Sequence, residues 1–291
     1  MKKKPMIKFL IIFILMFTSC STTGIIAGGK KGFPSLKNTG FKTGTTNLKL
    51  LFIYSDVSAS EANKFSLIAT RELNRSFFGS GIKEVVFSIA KIIKVDIDRE
   101  KSEYYSNPQE IINRNINSRK FFYLKKQYHA DIIIYIKKTS FALTMNRLDL
   151  RRSNPLLFLS GVSYSSSDWS KPINSYSLRT RHTMFLRNQI VVNLGFTESH
   201  KRTVVHEVGH LFGLAHGHES DGVYSFSKGF AVKNSFATVM CYGNITNSKE
   251  ISLFSGPDVF YNGIRMGDTA HDSVRTIKLI APRMKMFSNS I

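Results

Sequence analysis

Eleven consecutive residues, His206-Glu207-Val208-Gly209-His210-Leu211-Phe212-Gly213-Leu214-Ala215-His216, restrict what this 291-residue chain can fold into more than any other stretch. On a helix, positions four apart share a face one turn apart, so His206 and His210 can aim two imidazoles at one point, with Glu207 beside them. Gly213 is able to end that helix through a left-handed residue, turning the chain so that His216 arrives from below as a third nitrogen. Three neutral histidines fill three tetrahedral positions of a zinc ion and leave the fourth to water, which is a catalytic arrangement and not a structural one. Three His, one Glu and two Gly at this spacing recur by chance on the order of once in a million chains of this length. The bland reading, histidines satisfied inside a core, does not account for that spacing.

The surrounding chain supplies the scaffold such a helix needs. Leu48 to Tyr54 is a short apolar run suited to a buried strand, and Ser60 to Phe78 has helical periodicity with Phe65, Ile68, Leu73 and Phe77 inward and Ser60 as N-cap. Gly79 to Gly81 closes that helix, and Val85 to Ile97 is rich in β-branched residues. Pro108 to Tyr128 reads as a second helix, and Ala130 to Ile136 as a third strand. Leu156 to Tyr164 and Gln189 to Leu194 follow as further strands, separated by a polar loop that holds the only tryptophan, Trp169. Alternating strands and helices imply an α/β fold with a mostly parallel sheet. An apolar content of 42% with 12% aromatics is ample for a packed core and argues against disorder.

Before residue 48 the composition changes. Met1 to Cys20 has a basic start (Lys2, Lys3, Lys4, Lys8), an apolar run from Phe9 to Phe17, and then Thr18-Ser19-Cys20. Nine apolar residues are too few to span a bilayer, which needs about 20, but they suit the apolar core of a secretory signal, so the chain is expected to be exported. The Phe17-to-Cys20 ending resembles a bacterial lipoprotein signal, which implies a lipidated Cys20 after removal of residues 1–19. Ser21 in place of Asp resembles the pattern sent to an outer membrane. Residues 20–47, with Gly24, Gly28, Gly29, Gly32, Gly40 and Gly44 among Lys, Ser and Thr, read as a flexible tether. The chain has two cysteines, so a lipidated Cys20 leaves Cys241 as a lone thiol and excludes an intrachain disulfide.

Lys and Arg number 41 against 20 Asp and Glu, a net charge of +21. That charge suits anionic surroundings or acidic substrates but says nothing of fold. The basic residues are scattered and form no compact nucleic-acid motif, so no nucleic-acid partner is expected.

The eleven residues, with Ala237-Thr238-Val239-Met240-Cys241-Tyr242 downstream, resemble the metzincin clan of zinc peptidases, in which HExxHxxGxxH is followed by a methionine turn. Within the clan, several stretches are similar to the reprolysin-like and peptidyl-Asp metalloendopeptidases. They are Tyr128-His129-Ala130-Asp131-Ile132, Gly161-Val162-Ser163-Tyr164, Tyr224 to Phe230 with Gly229, and Phe254 to Val259 followed by Tyr261, Gly263 and Gly267. Gly217-His218 departs from that subgroup, where Asp often follows the third ligand. The resemblance implies an α+β metzincin-like catalytic domain over 48–291. Its upper part, 48–213, would hold a twisted, mostly parallel five-stranded sheet with an antiparallel edge strand and the zinc-binding helix. Its lower part, 214–291, would be a smaller, irregular subdomain carrying the turn.

The resemblance also implies roles. His206, His210 and His216 would bind zinc, Glu207 would act as general base, and Met240 would floor the site. Taken alone, Met240 would be core filler. Tyr242 matches a tyrosine that binds zinc or stabilises the oxyanion, the bland alternative being a packed side chain. The edge strand at Gly161, Val162, Ser163 and Tyr164 would receive an extended peptide, and residues 242–254 would wall the pocket beyond the scissile bond. The expected function is a monomeric zinc metalloendopeptidase held on the bacterial envelope by lipid at Cys20, acting on peptides or proteins. The alternative is a metal-containing surface-binding lipoprotein or adhesin without hydrolysis, against which the intact Glu207 speaks. A host-directed protease released from the membrane is a third possibility.

Overall fold

The computed structural model describes residues 44–95, 119–137, 161–163, 188–194, 200–217, 222–242 and 246–289. Cys20, the signal segment, most of the tether, Tyr164, Trp169, His218 and Asp221 lie outside them. Strands β1 (Thr46–Tyr54), β2 (Val85–Lys94), β3 (Ile132–Lys137), β4 (Gly161–Ser163) and β5 (Gln189–Asn193) form one sheet in the order β2-β1-β3-β5-β4. Every pairing is parallel except that of β4 with β5, which is antiparallel, so the expected fold class is the one observed. The first strand begins at Thr46, two residues inside the stretch read as tether.

β3, Ile-Ile-Ile-Tyr-Ile-Lys, is buried along its whole length, as an inner parallel strand covered on both faces should be. Its odd and even residues serve different layers. Ile132, Ile134 and Ile136 join Leu48, Leu50 and Phe52 in the main core. On that side pack three helices, α1 (Ala59–Gly79), α3 (His200–Leu211) and α4 (Ser273–Asn289). Ile133 and Tyr135 join Leu51 and Ile53 on the other face, where Phe121 of α2 (Arg119–Gln127) packs. The main core is tied together by Phe77, whose ring meets those of Phe87 and Phe254 edge-on at 4.7 and 5.1 Å. Burying a side chain of this size contributes about 1.5–3 kcal/mol.

Helix α1 starts two residues earlier than its apolar periodicity indicates, and its cap is Ser58, not Ser60. The Ser58 hydroxyl accepts from the Glu61 N–H at 3.2 Å, and the Glu61 carboxylate accepts from the Ser58 N–H at 2.9 Å. This reciprocal capping box satisfies two otherwise orphaned donors. Downstream of the metal motif come two short two-stranded sheets, β6 (Phe236–Ala237) with β7 (Lys249–Glu250) and β8 (Phe260–Tyr261) with β9 (Ile264–Arg265). The second is a hairpin whose turn, Asn262-Gly263, has positive φ at both residues. The chain then ends in α4, a regular helix within the region read as irregular. Ile277, Ile280, Ala281 and Met284 face the core, while Pro282 lies exposed.

A buried charge joins the ends of this core. Asp131, fully buried before β3, accepts from the Lys49 N–H at 2.6 Å and from Lys285 Nζ of α4 at 2.9 Å. Lys125 is also fully buried, its Nζ donating to the Asp131 carbonyl at 2.8 Å. Burial pushes the Lys125 ammonium down to about 7, against the attraction of Asp131. Between that value and the ordinary lysine range, the unfolded chain binds a proton that the folded protein does not, so stability rises with pH across this window. Unfolding free energy should therefore climb from pH 7 to pH 9.5, by on the order of a few kcal/mol at most. In Lys125→Met protein the climb should be largely lost. Equal pH slopes for the two proteins in denaturant melts would refute this assignment.

Candidate metal centre

Helix α3 carries His206 and His210 one turn apart, and its end is set by Gly213 at φ +80°, the left-handed conformation expected there. The Gly213 N–H donates to the His210 carbonyl at 2.8 Å and the Leu214 N–H to the Gly209 carbonyl at 3.2 Å. Ala215 is held by a hydrogen bond from its N–H to the Ser227 carbonyl at 2.8 Å, which brings His216 back under the helix.

The three Nε2 atoms of His206, His210 and His216 then lie 3.1 Å from one another in every pairing. Among the described residues this is the group of side chains able to hold a metal ion. The outer nitrogens explain why the inner ones converge. His206 Nδ1 donates to the Val239 carbonyl at 2.7 Å, and His210 Nδ1 donates to the Leu214 carbonyl at 2.8 Å. With their protons committed to those carbonyls, both rings present an Nε2 lone pair to the shared point. Lone pairs aimed at one another repel unless a cation lies among them. Nitrogens on a tetrahedral zinc, each about 2.0–2.1 Å from the ion, are spaced by about 3.3 Å, so this triangle fits zinc.

Met240 is fully buried beneath this group. A Cβ placed on Gly209, between the two helical histidines, would come within 2.5 Å of Met240 Sδ and 3.2 Å of Phe254. Only glycine lets the helix sit this close to the methionine. The turn is closed by the Cys241 N–H donating to the Thr238 carbonyl at 2.8 Å, and it is fastened to the third histidine through the Gly217 N–H and the Met240 carbonyl at 3.1 Å. Thus the segment 238–242 does two things, supporting the helix through Met240 and orienting His206 through the Val239 carbonyl. Those carbonyl partners have no signature in the sequence, because a backbone acceptor leaves no trace in residue type.

Tyr242, next along, is 38% exposed, and its hydroxyl lies 3.0 Å from His216 Nε2. Its ring centroid is 4.5 Å from that of His216. Glu207 is buried, next to His206 on the same helix. Gly161, Val162 and Ser163 form β4, at the end of the sheet beside β5, and α3 packs under these two strands. Cys241 is buried and takes part in no disulfide among the described residues.

Comparisons with known proteins point the same way. Two curated relatives, each named peptidyl-Asp metalloendopeptidase, share short stretches with this chain. The one from Xanthomonas campestris is 29% identical over 68 residues, covering 22% of this chain and 16% of its own length. The one from Pseudomonas aeruginosa is 33% identical over 82 residues, covering 23% of this chain and 14% of its own. The chain thus matches less than a fifth of either relative. Among solved structures, a chain in one titled "Structure of a chaperone-substrate complex" superposes with a TM-score of 0.60 at 16% identity, over 84% of this chain and 35% of that one. At that identity the likeness speaks for the fold alone. The family model described as metallo-peptidase family M12B, reprolysin-like, matches residues 69–217, about half of the chain, from α1 through the third histidine. By this match, and with three histidines meeting at one point where the motif demands it, the chain belongs to the reprolysin-like M12B metallopeptidases.

Proposed function

We propose that this protein is a zinc-dependent endopeptidase displayed on a bacterial envelope. The observation that carries the reading is the mutual 3.1 Å approach of the three Nε2 atoms, with two of the outer nitrogens bonded to backbone carbonyls. Zinc held by His206, His210 and His216 would polarise the scissile carbonyl and acidify a water molecule to a pKa near 7. Glu207 would serve as general base toward the hydrolytic water and return the proton to the departing amine; its place beside His206 on a rigid helix supports this. Tyr242, at the exposed rim, presents its hydroxyl to the carbonyl oxygen as negative charge grows there.

Substrate binding would use β4. It pairs with β5 alone among the described strands, and an extended peptide can add to its outer edge through main-chain hydrogen bonds. Display on the envelope rests on the sequence ending at Cys20, with residues 21–43 as the tether. Digestion of a broad peptide library by the purified chain tests the reading. Internal cleavage is expected, with bonds beside Asp scored first because both relatives are named for that residue. A library left intact at high enzyme concentration with added zinc would instead favour a surface-binding role.

A further inference from the structure

A cavity of about 840 Å³ opens between the start of β1, the end of α2 and the end of α4. None of its lining residues belongs to the elements that carry the three histidines. Lys49, Lys125, Lys126, Lys285 and His129 line it together with hydroxyl and amide side chains, and among the described residues no carboxylate does. Lys125 and Lys285 are engaged with Asp131. The side-chain ammonium groups of Lys49 and Lys126 form no ion pair with an acidic residue among the described residues, so the described lining carries excess positive charge. Two of the most exposed large side chains stand on the same two helices: Tyr123, 63% exposed on α2, and Met286, 53% exposed on α4.

We infer that this basic face docks the domain onto the phosphate headgroups of an anionic phospholipid surface. Two observations select that occupant. Thr45 and Thr46, where the tether joins the domain, line the cavity, so the attachment point of a chain anchored at Cys20 lies on this side of the domain. The tether itself is not the occupant, because residues 20–43 contain Lys30, Lys31, Lys37 and Lys42 and no acidic residue. Like charge makes that segment a poor ligand for the cavity, while an anionic plane would attract both. Lysines around a polar cavity, on helices that also expose an aromatic and a thioether side chain, match the chemistry of a headgroup layer, where charge lies above and apolar groups below. The orientation rests on the anchored reading of Cys20; the attraction does not.

The test uses the full chain with vesicles of phosphatidylcholine alone or with about one-third phosphatidylglycerol, followed by amine-labelling footprints of individual lysines. Partition onto the zwitterionic vesicles reports the anchor separately. On the anionic vesicles, labelling of Lys49, Lys126 and Lys285 should slow by about threefold or more and recover in high salt, as screening requires. Exposed Lys64 and Lys83, on and after α1, should label equally on both. A Lys49→Gln/Lys126→Glu protein should lose the composition dependence at Lys285 while cleaving a short soluble peptide at the wild-type rate. Equal footprints on the two vesicle types would overturn the inference, whatever the fate of the variant. So would equal protection by inorganic phosphate without vesicles, which would mark a site for a soluble phosphate compound.

Discussion

Glu207→Gln protein is expected to hold zinc at the wild-type stoichiometry yet to cleave peptides about 10²- to 10⁴-fold more slowly. The substitution keeps the size and helical position of the side chain and removes its negative charge and with it the ability to accept a proton. The elements that shape the metal centre do not depend on it: Gly213 ends the helix, the Val239 and Leu214 carbonyls hold His206 and His210, and Met240 supports the floor. The measurements are metal content by elemental analysis and kcat/KM on a peptide found in the library digest. Cleavage as fast as wild type would remove Glu207 from the mechanism. Loss of zinc along with activity would show instead that the carboxylate shapes the site.

His210→Ala should instead lose metal and activity together. With one of three nitrogens gone, zinc binding should fail at micromolar metal and hydrolysis should drop to background, as it should for the wild type treated with a chelator. The two losses differ in reversibility, since added zinc restores the chelated wild type and not the variant. Stability supplies a readout independent of activity. A ligand present at 100 times its dissociation constant stabilises the folded state by about 2.7 kcal/mol. Zinc should therefore raise the melting temperature of the wild type and of Glu207→Gln protein, but not of His210→Ala protein. A zinc-dependent shift that survives in His210→Ala would place the metal elsewhere.

The parts of this molecule that could be read from its sequence are those in which residue type and spacing carry the information. The buried run of β3 and the branched run of β2 announce strands, and the spacing of His206, His210 and Gly213 fixes a helix, its end and the return of the third ligand. The apolar period of α1 begins after its true cap, which only the capping-box pair Ser58 and Glu61 marks. Pro282 interrupts the helical pattern of α4 in the sequence, yet the proline sits on the exposed face, where its ring does not disturb the packing of Ile277, Ile280, Ala281 and Met284. Other features have no local signature. The approach of Met240 to Gly209, the carbonyl of Val239 on His206 and the meeting of Lys49, Asp131 and Lys285 are products of tertiary contact between distant segments.

The last of these meetings bears on how the protein comes to be folded. β1 lies inside the sheet, between β2 and β3, and α4, the final element described, packs across it together with α1. Lys285 reaches back to a carboxylate 154 positions earlier, and Leu48 and Met284 share one core. Native contacts of such long range cost loop-closure entropy before they return any energy, which slows folding. A chain threaded through a membrane from its N-terminus would thus emerge with its first strand still unpaired and wait, incomplete, for its last helix. The interval in which the sheet lacks that cover is when such a protein most needs protection from aggregation.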